Sequence, residues 1–331
     1  MLKIYMLKTL LKFALAIGLL YWLAQSGKLD FSLIAKSYHS GFSWLLVIFI
    51  LIIQGMTTTY RFKKILETKS LKPFKFLEIV RYNWIGMFFS SILPGAVTGD
   101  FIKLYYVKKH DKSFTKVFLV TAIMLDRILG LLGLLFVSGL ISLIYYSDLA
   151  KISDKLTHVV LVNYFLFLGG MCLMFILFAP KKIQKLIIHF TYKIPKIGHA
   201  LVAKIEPVLS LNQNRSTFFF CFLLSVFSQT LSIFAFWYLT KPFYEVTLPL
   251  AHAFSFIPIG LIAVAIPISP AGLGVGHAMF QNLFSFVGIH NGASLFNLFF
   301  ICGLGVNLLG VIPYLMAPKV SDHQIKDELE H

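Results

Sequence analysis

Charge inside an apolar stretch costs about 2.5–3.5 kcal/mol on insertion scales, and this chain carries it at few places. Asp100 follows a proline-glycine break in "SSILPGAVTGDFIKLYYVKK", Ser90 to Lys109. Asp126 and Arg127 stand in "TAIMLDRILGLLGLLF". Adjacent residues on a helix point about 100° apart, so Asp126 and Arg127 cannot face each other. Each needs another partner, and Asp100 with Arg127 is the charge-balanced choice. A pair of this kind suits gating of a polar path by forming and breaking, with Asp126, Lys103 and Asn83 nearby in the sequence. The competing reading has Arg127 snorkelling to the cytoplasmic surface, because its span begins only near Val117.

His277 is the second focus. It follows the turn Gly272-Leu273-Gly274-Val275-Gly276 in "IPISPAGLGVGHAMF" and heads a helix, with Gln281 four residues on and on the same face. Free N–H groups and the positive dipole end of a half-helix suit an anion such as a lipid phosphate. The glycines are no nucleotide fingerprint, since no strand–helix unit surrounds them. Asn83, Gln229, His252, Asn282, Asn297 and Asn307 read mostly as interhelical hydrogen-bonding groups worth about 0.6 kcal/mol each; ligand contact stays open for His252. Gly303 to Gly310 reads as a close-packing face. No nucleophile–base order, HExxH or paired-carboxylate set presents itself, so no catalytic residue is assigned. Cys172, Cys221 and Cys302 form no paired spacing or Cys/His cluster, which argues against a disulfide, a metal or another cofactor.

These residues sit in a chain built for lipid. Of 331 residues, 58% are hydrophobic and 13% charged, against about a quarter charged in soluble domains. Many stretches reach the ~20 apolar residues that cross a bilayer. The net charge of +16 does not indicate nucleic acid, because the positive residues lie in short loops, where they record topology. Apolar runs predict spans at about 7–25, 41–60, 117–146, 159–179, 216–240, 248–266 and 293–316, in one membrane domain covering 1–331. The core of the first run is long for a signal peptide, which favours a retained helix.

Lysine and arginine set the orientation. The N-terminus, 61–81, 103–116 and 181–215 are rich in them and read as cytoplasmic; the other loops are nearly balanced. The segment 79–107 therefore enters and leaves on one side. It is a re-entrant hairpin with its turn near Pro94 and Gly95, followed by Gly99, and such a turn must avoid lipid. By the same reasoning the chain enters near Leu248 from the opposite face, turns around Ser269 and Pro270, and returns by about Ile289, which places the tail 318–331 inside. The turns align loosely, as an inverted repeat would or as a short coincidence. The segment 181–212 reads as an interfacial amphipathic helix interrupted at Pro195 and Gly198, or as a plain cytoplasmic loop.

Taken in order, "FFSSILPGAVTGDFIKLYYVKK", "TAIMLDRILGLLGLLF" and "IPISPAGLGVGHAMF" resemble the flippase-like transmembrane domain of lysylphosphatidylglycerol synthases, over about residues 8–317. Two positions depart from the family pattern. Lys103 stands where an arginine usually follows the Gly-Asp pair, and His277 where an acidic residue usually follows the Gly-Leu-Gly turn. The resemblance implies movement of lipid between leaflets. The tail is too short for the family's C-terminal synthase, so the lipid, or a lipid-linked sugar, would be made elsewhere.

The expectation is an all-α polytopic membrane protein with about seven transmembrane helices and two re-entrant hairpins. It would be a flippase in the cytoplasmic membrane, acting on an anionic or modified phospholipid or a lipid-linked headgroup. A lipid-synthesising partner protein and a homo-oligomer fit the same expectation. The alternatives are a membrane enzyme acting on polyprenyl-phosphate or phospholipid substrates, and a non-catalytic subunit of a lipid-modifying complex.

Overall fold

The computed structural model describes residues 43–92, 98–152, 154–193, 215–241, 248–265, 275–289 and 292–316, with isolated positions between 199 and 209. The expected first span at 7–25 and the turn residues Pro94, Gly95, Ser269, Pro270, Gly272 and Gly274 lie outside them. Among the described residues every regular element is helical: α1 Ser43–Glu67, α2 Phe76–Ile92, α3 Thr98–His110, α4 Lys116–Ile144, α5 Tyr146–Ile152, α6 Asp154–Phe178, α7 Lys181–Tyr192, α8 Arg215–Thr240, α9 Leu250–Ala265, α10 Val275–Ser285, α11 Gly292–Leu308 and α12 Val311–Met316.

Five of these stretches are long and apolar enough to cross a membrane: α1, α4, Thr157–Phe178 within α6, α8, and α11 continued through α12. The run 248–266, read from hydropathy as a further span, forms only the 16 residues of α9. At 1.5 Å per residue that is about 24 Å, short of a ~30 Å hydrocarbon core. Its partner is α10, and the two pack antiparallel. Gly260 lies under the Phe280 ring, and Val264 and Gly276 face each other. Phe256 meets Phe284 edge to face at 5.5 Å.

The first hairpin has the same plan. α2 and α3 run antiparallel, with Tyr82 stacked on Tyr106 at 5.7 Å. Near the tip, a Cβ on Gly99 would collide with the carbonyl oxygen of Gly86 and with Ser90 Oγ. The two backbones approach so closely only because both positions are glycine, as is usual where membrane helices meet.

The two hairpins share one neighbour. Asn307 on α11 donates from Nδ2 to Ser91 Oγ at 2.9 Å, near the tip of the first. Asn297, ten residues earlier on α11, faces His277 Nε2 at 3.2 Å, near the tip of the second. Tyr314, at the far end of α12, reaches Phe88 and Phe89 in the first hairpin. Gly292, at the near end of α11, lies against Phe280 and Phe284 in the second. The hairpins therefore extend toward each other from opposite ends of the last span, and the two amides that bond them, Asn297 and Asn307, lie about 15 Å apart along it.

A bundle of α1, α4 and α8 holds this arrangement. Phe62, Ile65, Leu125, Leu129 and Phe222 fill its centre. Phe236, Phe256, Phe280, Phe284 and Phe296 fill a second core around the α9–α10 hairpin. Lipid tails are as apolar as these rings, so close packing and hydrogen bonds, not exclusion of water, hold the helices together. One polar node shows how. Pro258 removes a helical donor inside α9. Nearby, the carbonyl of Ser255 accepts from Asn163 Nδ2 of α6, which also donates to Ser142 Oγ at 3.0 Å.

Outside the spans, buried Asp111 ties the loop before α4 to the loop before α2. It accepts from the N–H groups of Leu71 at 3.0 Å, Lys72 at 3.3 Å and Ser113 at 3.0 Å, and from Ser70 and Ser113 hydroxyls. Burial alone would raise its carboxyl. The hydroxyl and N–H of Ser113, with the two N–H groups across the loop, outweigh that and hold it well below the usual carboxylate range. At the end of α6 the chain turns at Pro180 into α7, where Leu186 and Phe190 are exposed beside Lys182, Lys185 and Lys193.

Candidate polar site

Asp100 lies in the first turn of α3, just past the hairpin tip, where a helix N-terminus favours a carboxylate. Two cations share it. Arg127 reaches Oδ2 with Nη2 and with Nε, the latter at 3.2 Å. Lys103, one turn along α3, places Nζ 3.3 Å from Oδ1. The side chain of Arg127 is 51% exposed and that of Lys103 only 8%. Arg127 thus forms the rim of the cluster and Lys103 its floor.

Lys103 is held by more than charge. Its ammonium sits 4.1 Å from the centre of the Phe62 ring, a cation–π contact that strengthens when desolvated. Nζ also approaches Asn83 Oδ1 at 3.4 Å, and Asn83 Nδ2 donates to Thr59 Oγ1 at 2.8 Å. A polar row therefore runs Thr59, Asn83, Lys103, Asp100, Arg127, from the interior of the bundle to its edge.

Asp126 turns the other way. Its Oδ1 accepts from Arg61 Nε at 2.8 Å, and Arg61 Nη1 donates to Ser225 Oγ at 2.8 Å. Arg61 is 4% exposed. The sequence reading missed it, placing Arg61 in the basic loop 61–81 because the apolar run stops at Tyr60. The helix does not stop there. Thr59, Phe62, Ile65 and Leu66 continue the buried face of α1, and that face, extended past the arginine, was the available signal. Lys63 and Lys64 pair with Glu67 in the last turn.

The second cluster is tied inward. Gly276 lies against the Phe296 ring and Val264, where a Cβ would collide. His277, besides facing Asn297, meets the edge of Phe296 at 5.1 Å. Gln281 Oε1 accepts from the N–H of Ala293 at 3.1 Å, in the first turn of α11. These contacts dock α10 on the last span. An added Cβ at Gly303 or Gly305 would meet nothing within 4 Å among the described residues; of the face expected from Gly303 to Gly310, Gly310, just past the end of α11, is the glycine that packs closely, against Trp84 and Phe88. Gln229 bonds the carbonyl of Gly130 at 3.1 Å, joining α8 to α4.

Five membrane-crossing candidates and two opposed hairpins define a polytopic α-helical membrane protein. The family model of the Lysylphosphatidylglycerol synthase TM region matches residues 9–309. The chain belongs to that family, and so to membrane proteins tied to lipid modification or translocation. No curated protein and no solved structure matches it.

Proposed function

We propose that this protein is a lipid translocator in the cytoplasmic membrane, moving a phospholipid or lipid-linked headgroup between leaflets without covalent chemistry. The observation that carries the reading is the polar row at the first hairpin, which ends on the half-exposed Arg127 guanidinium. A charged group crossing apolar lipid needs such a row of fixed dipoles and counter-charges, because each unpaired charge is costly at membrane depth. The opposed hairpins add support, since paired broken segments flank the midplane sites of known transporter folds. Asp100 and Arg127 act as the gate, parting to admit a headgroup and re-pairing behind it. Both termini face the cytoplasm, where the basic loops attract anionic headgroups by about 1 kcal/mol per basic residue. A lipid-synthesising protein supplies the cargo.

The test uses purified protein in liposomes that contain a fluorescent lipid, read with a quencher that reaches only the outer leaflet. Wild-type protein equilibrates the label and the Asp100→Ala/Arg127→Ala double variant does not. Equal redistribution by both would sink the reading.

A further inference from the structure

The apolar arc of α7 is wider than the protein that covers it. Thr157–Phe178 is long and apolar enough to cross a membrane, and Pro180 opens α7 two residues later, so α7 sits where a span meets water. Its rotation is fixed from inside. Buried Gln184 donates from Nε2 to the carbonyls of Leu177 at 3.1 Å and Ile176 at 3.5 Å, groups that the last turn of a helix leaves unbonded. Ile188, one turn on, packs against the core that α1, α4 and α8 share. Arg215, at the start of α8, bonds the carbonyl of Ala179 at 3.2 Å and holds the same corner. At about 100° per residue, Ile183, Leu186, Ile187 and Phe190 carry the apolar arc on from this inner face to the outside. Leu186 is 54% exposed and Phe190 60%. Exposed Lys182, Lys185, His189 and Lys193 make the arc beside it.

The charge here is of one sign. No acid stands between Asp154 and Glu206, while Lys181, Lys182, Lys185, Lys193, Lys196 and Lys204 do. Among the described residues none of Lys181, Lys182, Lys185 and Lys193 forms an ion pair. Asp148, on α5, lies at the other end of α6, and exposed Glu206 pairs with none of them. Apolar side chains beside unpaired lysines at the end of a span complement one surface, a leaflet with anionic headgroups.

We infer that α7 lies in the headgroup plane of an anionic leaflet, with Leu186 and Phe190 inserted at the acyl boundary and Lys182, Lys185 and Lys193 on lipid phosphates. Lys193 already lies along the Phe190 ring, Nζ 5.8 Å from its centre, as a snorkelling lysine does. Loop charge alone would need no inserted side chains; α7 presents both. Through Gln184 and Arg215 a hold on α7 is a hold on the corner between α6 and α8. The contact stands whether or not the chain moves lipid.

The experiment places the purified full chain in lipid nanodiscs of phosphatidylcholine alone or mixed with phosphatidylglycerol, and reads amide hydrogen exchange on a peptide covering 181–192. In mixed discs α7 exchanges at least about tenfold more slowly than in neutral discs, while peptides from α4 and α8 are unchanged. Lys182→Gln/Lys185→Gln/Lys193→Gln abolishes the difference, and Leu186→Ser/Phe190→Ser speeds exchange in mixed discs. Equal exchange of the wild type in the two discs overturns the inference without any variant: slow in both means that protein covers the face, and fast in both means that nothing does. A difference that survives the lysine variant, or exchange untouched by the serine variant, overturns it as well.

Discussion

Arg61 and Asp126 are 65 positions apart, yet Nε of one lies 2.8 Å from Oδ1 of the other in the interior of the bundle. The next residue along, Arg127, leans to the opposite side and meets Asp100. One turn of α4 thus carries two ion pairs of different character, one buried within the α1–α4–α8 body and one at the rim of a hairpin.

The buried pair is structural. Removing one partner strands a charge, so Arg61→Met should destabilise the protein by about 3–5 kcal/mol, while Arg61→Met with Asp126→Leu should recover most of it. Thermal unfolding in detergent compares the three proteins. A double variant no more stable than the single would refute the assignment.

The rim pair should behave in the reverse way. With Arg127 half exposed, Arg127→Gln should cost at most about 1 kcal/mol of stability and still abolish lipid redistribution in liposomes. Thermal stability and leaflet exchange, measured on one preparation, separate the two effects. Loss of both together would make the pair a fold element instead.

Glycines of one chain should differ sharply. Gly99→Ala forces a methyl into the Gly86 carbonyl and should cost at least the 1–3 kcal/mol typical of overpacking. Gly303→Ala enters open space and should stay within about 0.5 kcal/mol of wild type. Unfolding temperature and folded yield report both.

Asp111 supplies a pH dependence. Its folded carboxyl titrates below the unfolded value, so its contribution is complete above about pH 4, near the unfolded value, and is lost as pH falls toward the folded one. Asp111→Asn should therefore be less stable than wild type by a constant amount from pH 8 to about pH 5, with the gap narrowing below about pH 4. A gap that widened on acidification would contradict the bonding described.

Charge accounting reveals much of this architecture without coordinates. Lysines on both flanks of 79–107 require a hairpin, and scarcity of acids points Arg127 to Asp100. Arg61 escapes such reasoning because hydropathy marks where a chain becomes polar, not where a helix ends. Its partner is chosen by tertiary packing between α1 and α4, which leaves no local trace. The run 248–266 shows the converse limit: an arm of a hairpin and a short span are equally apolar, and only the register of Gly260 against Phe280 and Val264 against Gly276 tells them apart. Likewise His277 and Gln281 sit on one face as their spacing requires, but spacing does not say that α11 covers that face.

α11 bonds both hairpins through amides, Asn297 and Asn307, and between them it carries Gly303 and Gly305, where an added Cβ would meet nothing within 4 Å among the described residues. Its opposite face is packed, with Leu298, Cys302 and Val306 buried in one core with Val47, Ile50 and Leu51 of α1. If the hairpins move in translocation, a pull on either would be transmitted to the other through this one braced span, which would then act as a tie rod and not a passive wall. Opening one hairpin would strain the other, and an obligatory alternation of the two would follow from the mechanics of one helix.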